Sequence, residues 1–224
     1  MRTISSRSGP LRGEITVPGD KSISHRAVML GSIARGNTEI TGFLSGADCL
    51  STVDCFRRLG VDISVREKEG QVSVRGRGLR GLCPAADPVS LYTGNSGTTT
   101  RIISGILAPQ PFSSVISGDE SISTRPLRRI IQPLSLMGAH IESVMGNDCT
   151  PLRIEGRALH GITYHSPVAS AQVKSSLAKR PMPGTVSGIS VNGSLMRSAA
   201  FQARSDSFTL NGMERKYFPP MRRL

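Results

Sequence analysis

The sequence contains no tryptophan, and aromatic residues make up only 4% of its 224 residues. No stretch approaches the roughly 18 apolar residues of a membrane-spanning helix. The first 17 residues also lack the apolar core of a secretory signal. We therefore expect a globular chain that makes no use of a membrane.

Cysteine is scarce as well. Four cysteines are present and none forms a C-x-x-C pair, while only four histidines are available to complete a zinc site. We therefore expect no metal, and we expect buried or chemically indifferent thiols at these positions: Cys49, Cys55, Cys83 and Cys149.

Acidic residues are also few, with 16 against 28 basic residues and a net charge of +12. Residues 178–224 hold 8 basic and 2 acidic residues, so this stretch carries +6, half of the net charge. A basic balance is typical of nucleic-acid-binding proteins. Because aromatics are sparse and no Lys/Arg run exceeds two residues, we do not expect nucleic acid as the partner. A small anionic substrate accounts for the charge equally well, and nucleic-acid binding through the basic tail is the alternative.

The chain repeats itself at long range. R-R-L-G-V-D-I at 57–63 returns 78 residues later as S-L-M-G-A-H-I at 135–141. R-G-R-G-L-R-G at 75–81 returns 80 residues later as E-G-R-A-L-H-G at 155–161. Because the matches keep the same order, we expect a structural repeat. Each unit is predicted to run strand, helix, strand, helix, strand, strand.

Apolar spacing and glycine stops place the elements of each unit. The helices are predicted over 22–35, 48–59, 98–107 and 126–137, the last opened by Pro126. The strands are predicted over 14–17, 38–41, 61–65, 71–74 and 115–117. The helices that open each unit are apolar nearly all round, which predicts helices inside and sheets outside.

Three of the helix starts share one chemistry, and they lie at Lys21–Arg26, Asn95–Arg101 and Ser170–Lys174. Each places hydroxyl, amide or glycine residues at the helix N-terminus and a cation four residues into the helix. Unpaired N–H groups and the positive end of the helix dipole favour an anion there. The pattern therefore predicts anion binding at three places.

Plain N-capping is the structural alternative, and it would fall to Ser22, Ser96 and Ser170. Three starts in register favour anion binding over capping alone. Arg125, just before Pro126, adds a fourth cation. No general acid or base is evident nearby, and we assign no catalytic residue. Of the nearest carboxylates, Asp20 is interpreted as orienting Lys21 and Asp48 as capping its helix.

Four ordered motifs resemble the EPSP synthase family, the 3-phosphoshikimate 1-carboxyvinyltransferases. They are V-P-G-D-K-S-I-S-H-R at 17–26, G-N-S-G-T-T-T-R at 94–101, S-T-R-P at 123–126 and S-A-Q-V-K-S at 170–175. The resemblance implies an inside-out α/β fold of enolpyruvyl-transferase type, with two similar domains of three repeated units each. The related UDP-N-acetylglucosamine enolpyruvyl transferases typically open with G-A-K-N, and they carry a loop cysteine that residues 118–125 lack.

The resemblance also implies an activity. The family transfers the enolpyruvyl group of phosphoenolpyruvate to the 5-hydroxyl of shikimate 3-phosphate and releases phosphate. This transferase step serves chorismate and aromatic amino-acid biosynthesis in the cytoplasm, requires no cofactor, and is carried out by a monomer. The implied shikimate 3-phosphate ligands are Lys21, Ser22, Arg26, Ser170, Ala171 and Gln172. The implied phosphoenolpyruvate ligands are Lys21, Asn95, Gly97, Arg125 and Gln172.

The resemblance is expected to end at Leu177, because Pro181 and Pro183 forbid a continuing helix and the composition changes there. We interpret the following stretch as an unrelated basic tail from a broken reading frame, or alternatively as that of a short paralogue. The predicted divisions are 1–20, a segment belonging to a missing second domain; 21–177, a partial domain with units at about 21–90 and 91–164 and the start of a third; and 178–224, the tail.

This division bears on activity. The resemblance places the residues that move protons in the missing half. We therefore expect no turnover from this chain alone, because binding groups on one wall do not transfer protons or exclude water. A catalytically dead anion-binding fragment is the alternative function.

Overall fold

The computed structural model describes residues 18–177 and 208–210. Its helices are α1 (Lys21–Ile33), α2 (Ala47–Arg58), α3 (Gly97–Leu107), α4 (Glu120–Ser123), α5 (Arg128–Leu136) and α6 (Ala171–Leu177), with a 3₁₀ turn at Glu67–Glu69. Its strands are β1 (Arg35–Ile40), β2 (Asp62–Arg66), β3 (Gln71–Arg77), β4 (Val89–Tyr92), β5 (Ser113–Ser117), β6 (His140–Ser143), β7 (Leu152–Glu155) and β8 (Phe208–Leu210). The strand predicted over 14–17 and most of the tail lie outside the described residues.

Two four-stranded sheets repeat one topology. Their orders are β2-β3-β1-β8 and β6-β7-β5-β4. In each sheet the first two junctions are antiparallel and the last is parallel. Apolar residues pair across equivalent strands, with Ile63 opposite Val74 and Ile141 opposite Ile154. The second half of the described domain therefore repeats the first, as the sequence motifs predict.

The helices form the inner layer between the sheets. Ten of the eleven residues of α3, all but Thr98, are buried, and this helix packs against α1, α2, α5 and α6. The predicted inside-out arrangement is therefore confirmed for α3. On α1 the side chains of Ile23 and Leu30 are 44% and 43% exposed. One face of α1 thus remains open among the described residues.

A single apolar core joins the two repeats. Its largest fully buried side chains come from both halves and include Met29, Phe56, Leu91, Ile102 and Leu127. Burying side chains of this size contributes about 1.5–3 kcal/mol each, so the shared core ties the two sheets together.

All four cysteines are free thiols, and three of them are buried. Cys49 and Cys55 lie on α2 and Cys149 lies before β7, whereas Cys83 is exposed. Burial raises the pKa of Cys55 to about 12, so this thiol stays protonated at neutral pH.

Two helix boundaries differ from prediction. α1 ends at Ile33 rather than Arg35, because Ala34 is already extended and its carbonyl accepts from the Gly78 N–H at 2.7 Å. α5 begins at Arg128 rather than Pro126, because Leu127 has φ −112° and ψ 4°, outside the helical region, and its N–H donates to the Asp148 carbonyl at 2.7 Å. In both cases the backbone of the boundary residue leaves the helical region, and a long-range hydrogen bond uses a group that the helix leaves free.

The glycine stops of α2 and α5 are confirmed. Gly60 has φ +82° and Gly138 has φ +92°, the left-handed backbone that glycine adopts without strain. Among the described helices, none is long and apolar enough to span a membrane.

The close packing of α3 against α6 provides a test of the fold. A Cβ at Gly105 on α3 would lie 1.9 Å from the Ser176 carbonyl oxygen on α6, whereas a Cβ at Gly31 meets only the Thr38 side chain, at 3.2 Å. We expect Gly105→Ala to lower the free energy of unfolding by about 1–3 kcal/mol, because backbone must move. Urea unfolding of the 224-residue chain measures this.

Gly31→Ala is the matched control, since it is also a helix-interior change. Its higher helix propensity, worth up to about 1 kcal/mol, offsets the small displacement of Thr38. Equal losses in the two variants would contradict the close approach of α3 and α6.

Candidate functional site

The three predicted helix starts are capped in different ways. Asp20 caps α1, since its Oδ1 accepts from the Ile23 N–H at 2.8 Å. The prediction of Ser22 as this cap is wrong, because α1 starts at Lys21 and leaves Ser22 inside the first turn. Ser96 caps α3 through the Thr99 N–H at 3.2 Å, and the Ser170 Oγ lies 3.4 Å from the Val173 N. Capping satisfies only one of the free N–H groups at each start.

A cleft of about 440 Å³, here called the Lys21 cleft, lies where α1, α2 and the start of α3 meet. Its charged lining consists of Lys21, Asp48 and Arg125, with Asn95 beside them. The Lys21 ammonium forms an ion pair with the Asp48 carboxylate. Two cations and one carboxylate leave the cleft with a net positive charge.

Arg125 is held at the edge of this cleft. Its guanidinium donates to the Ser121 Oγ at 2.7 Å and to the Asn95 carbonyl at 3.4 Å. Although α5 starts later than predicted, Arg125 still faces the residues that open α3. The structure therefore brings together three sequence-predicted residues, Lys21, Asn95 and Arg125.

The thiol in this cleft is inert. Burial raises the pKa of Cys49 to about 11, and the charge of Lys21 only partly opposes this shift. A protonated thiol is a poor nucleophile, so the cleft is built for binding rather than for covalent chemistry by cysteine.

Hydrogen bonds hold the start of α6 against α1 and α3. The Arg26 guanidinium on α1 donates to the Ser175 Oγ at 3.0 Å and to the Ala171 carbonyl at 3.4 Å. The Gln172 amide donates to the Thr98 Oγ1 at 3.0 Å, and its Oε1 accepts from Arg101 at 3.3 Å. The six residues predicted to hold shikimate 3-phosphate thus lie on the first turns of α1 and α6 or next to them.

Gly97 packs against the end of the Arg101 side chain. A Cβ at this position would lie 2.3 Å from the Arg101 Nη1, which donates to the Gly97 carbonyl at 3.2 Å, so the guanidinium would have to shift. The resemblance implies that Gly97 is a ligand, and the structure adds this packing contact.

A chain of buried hydroxyls joins the first three long helices. The His25 Nδ1 lies 2.7 Å from the Thr52 Oγ1, which lies 2.7 Å from the Thr99 Oγ1. Thr99 in turn lies 2.7 Å from the Ser96 Oγ. Burial lowers the pKa of His25 to about 4, with Asp48 opposing the shift, so the ring is neutral at neutral pH. His25 therefore positions the helices and carries no charge.

Sequence reasoning missed two contributions. The prediction of Asp48 as a helix cap is wrong, because Gly46 stands at the N-cap of α2 and Asp48 pairs with Lys21. Asp20, predicted to orient Lys21, instead caps α1. Arg101 was noted only as a helix cation, and the structure buries it against Gln172. Among the described residues, no group of three or more His, Cys, Asp or Glu side chains is placed to hold a metal ion.

Comparisons with known proteins agree with this geometry. The profile of the EPSP synthase (3-phosphoshikimate 1-carboxyvinyltransferase) family matches residues 6–192, beyond Leu177. The 3-phosphoshikimate 1-carboxyvinyltransferase of Bacillus cereus (strain G9842) is 55% identical over 177 residues, covering 79% of this chain and 40% of the relative. That of Brevibacillus brevis is 55% identical over 168 residues, covering 75% and 38%.

Solved structures give the same result. An EPSP synthase from Acinetobacter baumannii superposes with a TM-score of 0.69 at 50% identity, covering 74% of this chain and 37% of the solved chain. The present chain thus spans about 40% of the length of the relatives that it matches.

The ion pair in the Lys21 cleft competes with any bound anion. We expect Asp48→Asn to tighten the binding of inorganic phosphate about two- to fivefold, since a pair of this exposure is worth up to about 1 kcal/mol. Isothermal titration of the 224-residue chain measures the change. Asp54→Asn, which removes an exposed carboxylate from the same helix, is the control and should leave the affinity unchanged. Equal affinities in all three proteins would contradict the competition.

Burial of neutral His25 makes stability depend on pH. In the unfolded chain the ring takes up a proton near pH 6.5, whereas the folded ring does so only near pH 4. Stability is therefore lost as the pH falls from about 6.5 towards 4, by about 2–3 kcal/mol. We expect His25→Asn to remove this part of the loss in urea unfolding at pH 7.5 and 4.5.

His165→Asn, at an exposed position, is the matched control and should keep the loss. Identical pH dependence in the His25→Asn variant and the unsubstituted chain would contradict the assignment.

Proposed function

The chain belongs to the EPSP synthase family, and on this premise we propose that residues 21–177 form one wall of a site for enolpyruvyl transfer. The reaction joins the enolpyruvyl group of phosphoenolpyruvate to the 5-hydroxyl of shikimate 3-phosphate and releases phosphate. The meeting of Lys21, Asn95 and Arg125 in one cleft is the observation that carries this proposal.

Phosphoenolpyruvate carries a phosphate and a carboxylate, and the Lys21 cleft offers a matching pair of cations. Arg125 presents a planar fork suited to a bidentate anion, and Lys21 presents a compact point charge. The backbone N–H groups at the start of α3, at Gly97, add donors at the positive end of a helix dipole. Gln172 reaches the same helix start through Thr98.

Shikimate 3-phosphate is assigned to the neighbouring starts of α1 and α6. Arg26 is already oriented by Ser175 and by the carbonyls of Ser22 and Ala171, so little side-chain entropy remains to be lost on binding. Ser170 and Gln172 supply a hydroxyl and an amide next to it. This arrangement supports binding of one anion on each side of α1.

The described residues hold and orient the two substrates in this proposal. In the transfer, the 5-hydroxyl oxygen loses its proton and bonds to C2 of phosphoenolpyruvate, while the methylene carbon of phosphoenolpyruvate takes up a proton. The resulting tetrahedral intermediate then loses phosphate and a proton to restore the double bond. Placing two anions in contact accounts for orientation, and the proton-transfer groups are assigned to the part of the family beyond these residues.

The remaining assignments follow the family as well. We propose a cytoplasmic monomer in which residues 1–20 belong to a second domain. The units within residues 21–177 divide near residue 90, and residues 178–224 form the tail. The repeated sheet topology supports the division near residue 90, and β8 of the tail adds a strand beside β1.

Substrate binding tests the proposal. We expect Lys21→Ala to weaken phosphoenolpyruvate and Arg26→Ala to weaken shikimate 3-phosphate, each at least about tenfold, because a charged hydrogen bond is worth about 1.5–3 kcal/mol. Calorimetric titration of the 224-residue chain measures both. Arg66→Ala removes an exposed arginine paired with Glu69 and should change neither affinity.

Turnover is a separate readout. The purified chain is expected to form no enolpyruvyl product from the two substrates, because the described wall supplies no assigned proton donor. Product formed by this chain alone would contradict the division of roles, and unchanged affinities in both alanine variants would contradict the site itself.

A further inference from the structure

A second cleft, here called the arginine cleft, lies beside the start of α5. It has a volume of about 580 Å³. Its polar lining consists of four arginines, an amide, a phenol and a hydroxyl: Arg101, Arg125, Arg128, Arg129, Gln132, Tyr164 and Ser166. No carboxylate lines it among the described residues. Only Arg125 is shared with the Lys21 cleft.

Arg101 is the unusual member of this lining. It is 6% exposed, and its Nη1 donates to the Gly97 carbonyl and to the Gln172 Oε1. Its Nε is buried and has no hydrogen-bond partner among the described residues. A buried charged group with an unused donor is costly unless something accepts from it, so this side chain points to an absent acceptor.

The charges around Arg101 have the same sign. Burial, together with the charges of Arg129 and Arg125, lowers the pKa of Arg101 to about 10. Within residues 18–177, none of the four lining arginines forms an ion pair with a carboxylate. A dianion in the cleft would relieve this repulsion.

The helix at this cleft contributes in the same direction. α5 is nine residues long and its first turn contains no acidic residue, so its positive dipole end faces Arg128 and Arg129 without compensation. The rest of the wall is apolar, with Pro126, Val168 and the buried Val173 next to the Tyr164 ring. The cleft thus combines a cationic end with a surface suited to a compact organic group.

We propose that the arginine cleft binds a small phosphate monoester, distinct from the substrates of the Lys21 cleft. The phosphate accepts from the guanidinium groups of Arg101, Arg128 and Arg129. The organic part lies against Tyr164. Arginine is suited to this role because its planar fork matches phosphate oxygens. Because Arg125 lines both clefts, an anion bound in the arginine cleft also lowers the net positive charge at the Lys21 cleft.

A fluorescent reporter tests this directly. The chain contains no tryptophan, so Tyr164→Trp places a single tryptophan in the cleft and keeps an aromatic wall. The probe is phenyl phosphate, titrated into the 224-residue chain while tryptophan emission is recorded. We expect a saturable change in emission, and phenol alone should give none.

Variants in this background locate the anion. Arg128→Gln and Arg129→Gln should each weaken phenyl phosphate binding at least about tenfold, as expected for loss of a charged hydrogen bond. Arg66→Gln is the matched control, and it should leave the affinity unchanged, as should Lys21→Ala, which belongs to the other cleft. Failure of the enolpyruvyl assignment would appear in the Lys21→Ala substrate titrations, so the two proposals fail separately.

Two results would overturn the proposal. The first is no saturable change up to about 10 mM probe, where binding is weaker than about 3 kcal/mol. The second is a loss of binding in Lys21→Ala equal to that in Arg129→Gln, which would place the probe in the Lys21 cleft. If Tyr164→Trp fails to fold, ³¹P line broadening of phenyl phosphate by the Lys21→Ala variant decides, since this variant weakens binding in the other cleft. Broadening that the additional Arg129→Gln change reduces supports the proposal, and equal broadening overturns it.

Discussion

The close packing of α3 against α6 is the contact on which both clefts depend. Because Gly105 has no side chain, the backbone of α6 at Ser176 lies close against α3. Gln172 of α6 then hydrogen-bonds to Thr98 and Arg101 of α3. Because α3 is buried on nearly all sides, it has no freedom to adjust to its neighbours. The start of α3, which opens into the Lys21 cleft, is therefore fixed by the packing at Gly105, about two turns away.

The two clefts differ in whether a carboxylate neutralises their cationic side chains. In the Lys21 cleft a carboxylate, Asp48, neutralises the principal cation while no anion is bound. In the arginine cleft no described carboxylate does so, and the buried guanidinium of Arg101 keeps an unused donor. An internal counter-ion weakens anion binding but stabilises the free protein, whereas an uncompensated cluster does the reverse. The two clefts therefore differ in how strongly each should favour being occupied.

Local features of the sequence predicted much of the fold. The repeat, the helix stops at Gly60 and Gly138, and the apolar face of α5 depend on neighbouring residues, and the structure confirms them. The pairing of Lys21 with Asp48 and the fastening of Arg26 to α6 join residues far apart in the chain. No periodicity encodes such contacts, so the motifs predicted Lys21 as a binding residue without the carboxylate that pairs with it.

The distribution of thiols has a practical consequence. Cys83 is exposed, whereas Cys49 and Cys55 are buried in the first repeat and Cys149 in the second. A thiol-modifying reagent added to the native chain should therefore mark one cysteine at once, and the other three only when their own half opens. The rate at which the buried thiols of each repeat are modified therefore reports how often that repeat opens. Mass spectrometry of the modified peptides would show whether the two halves unfold together or one after the other.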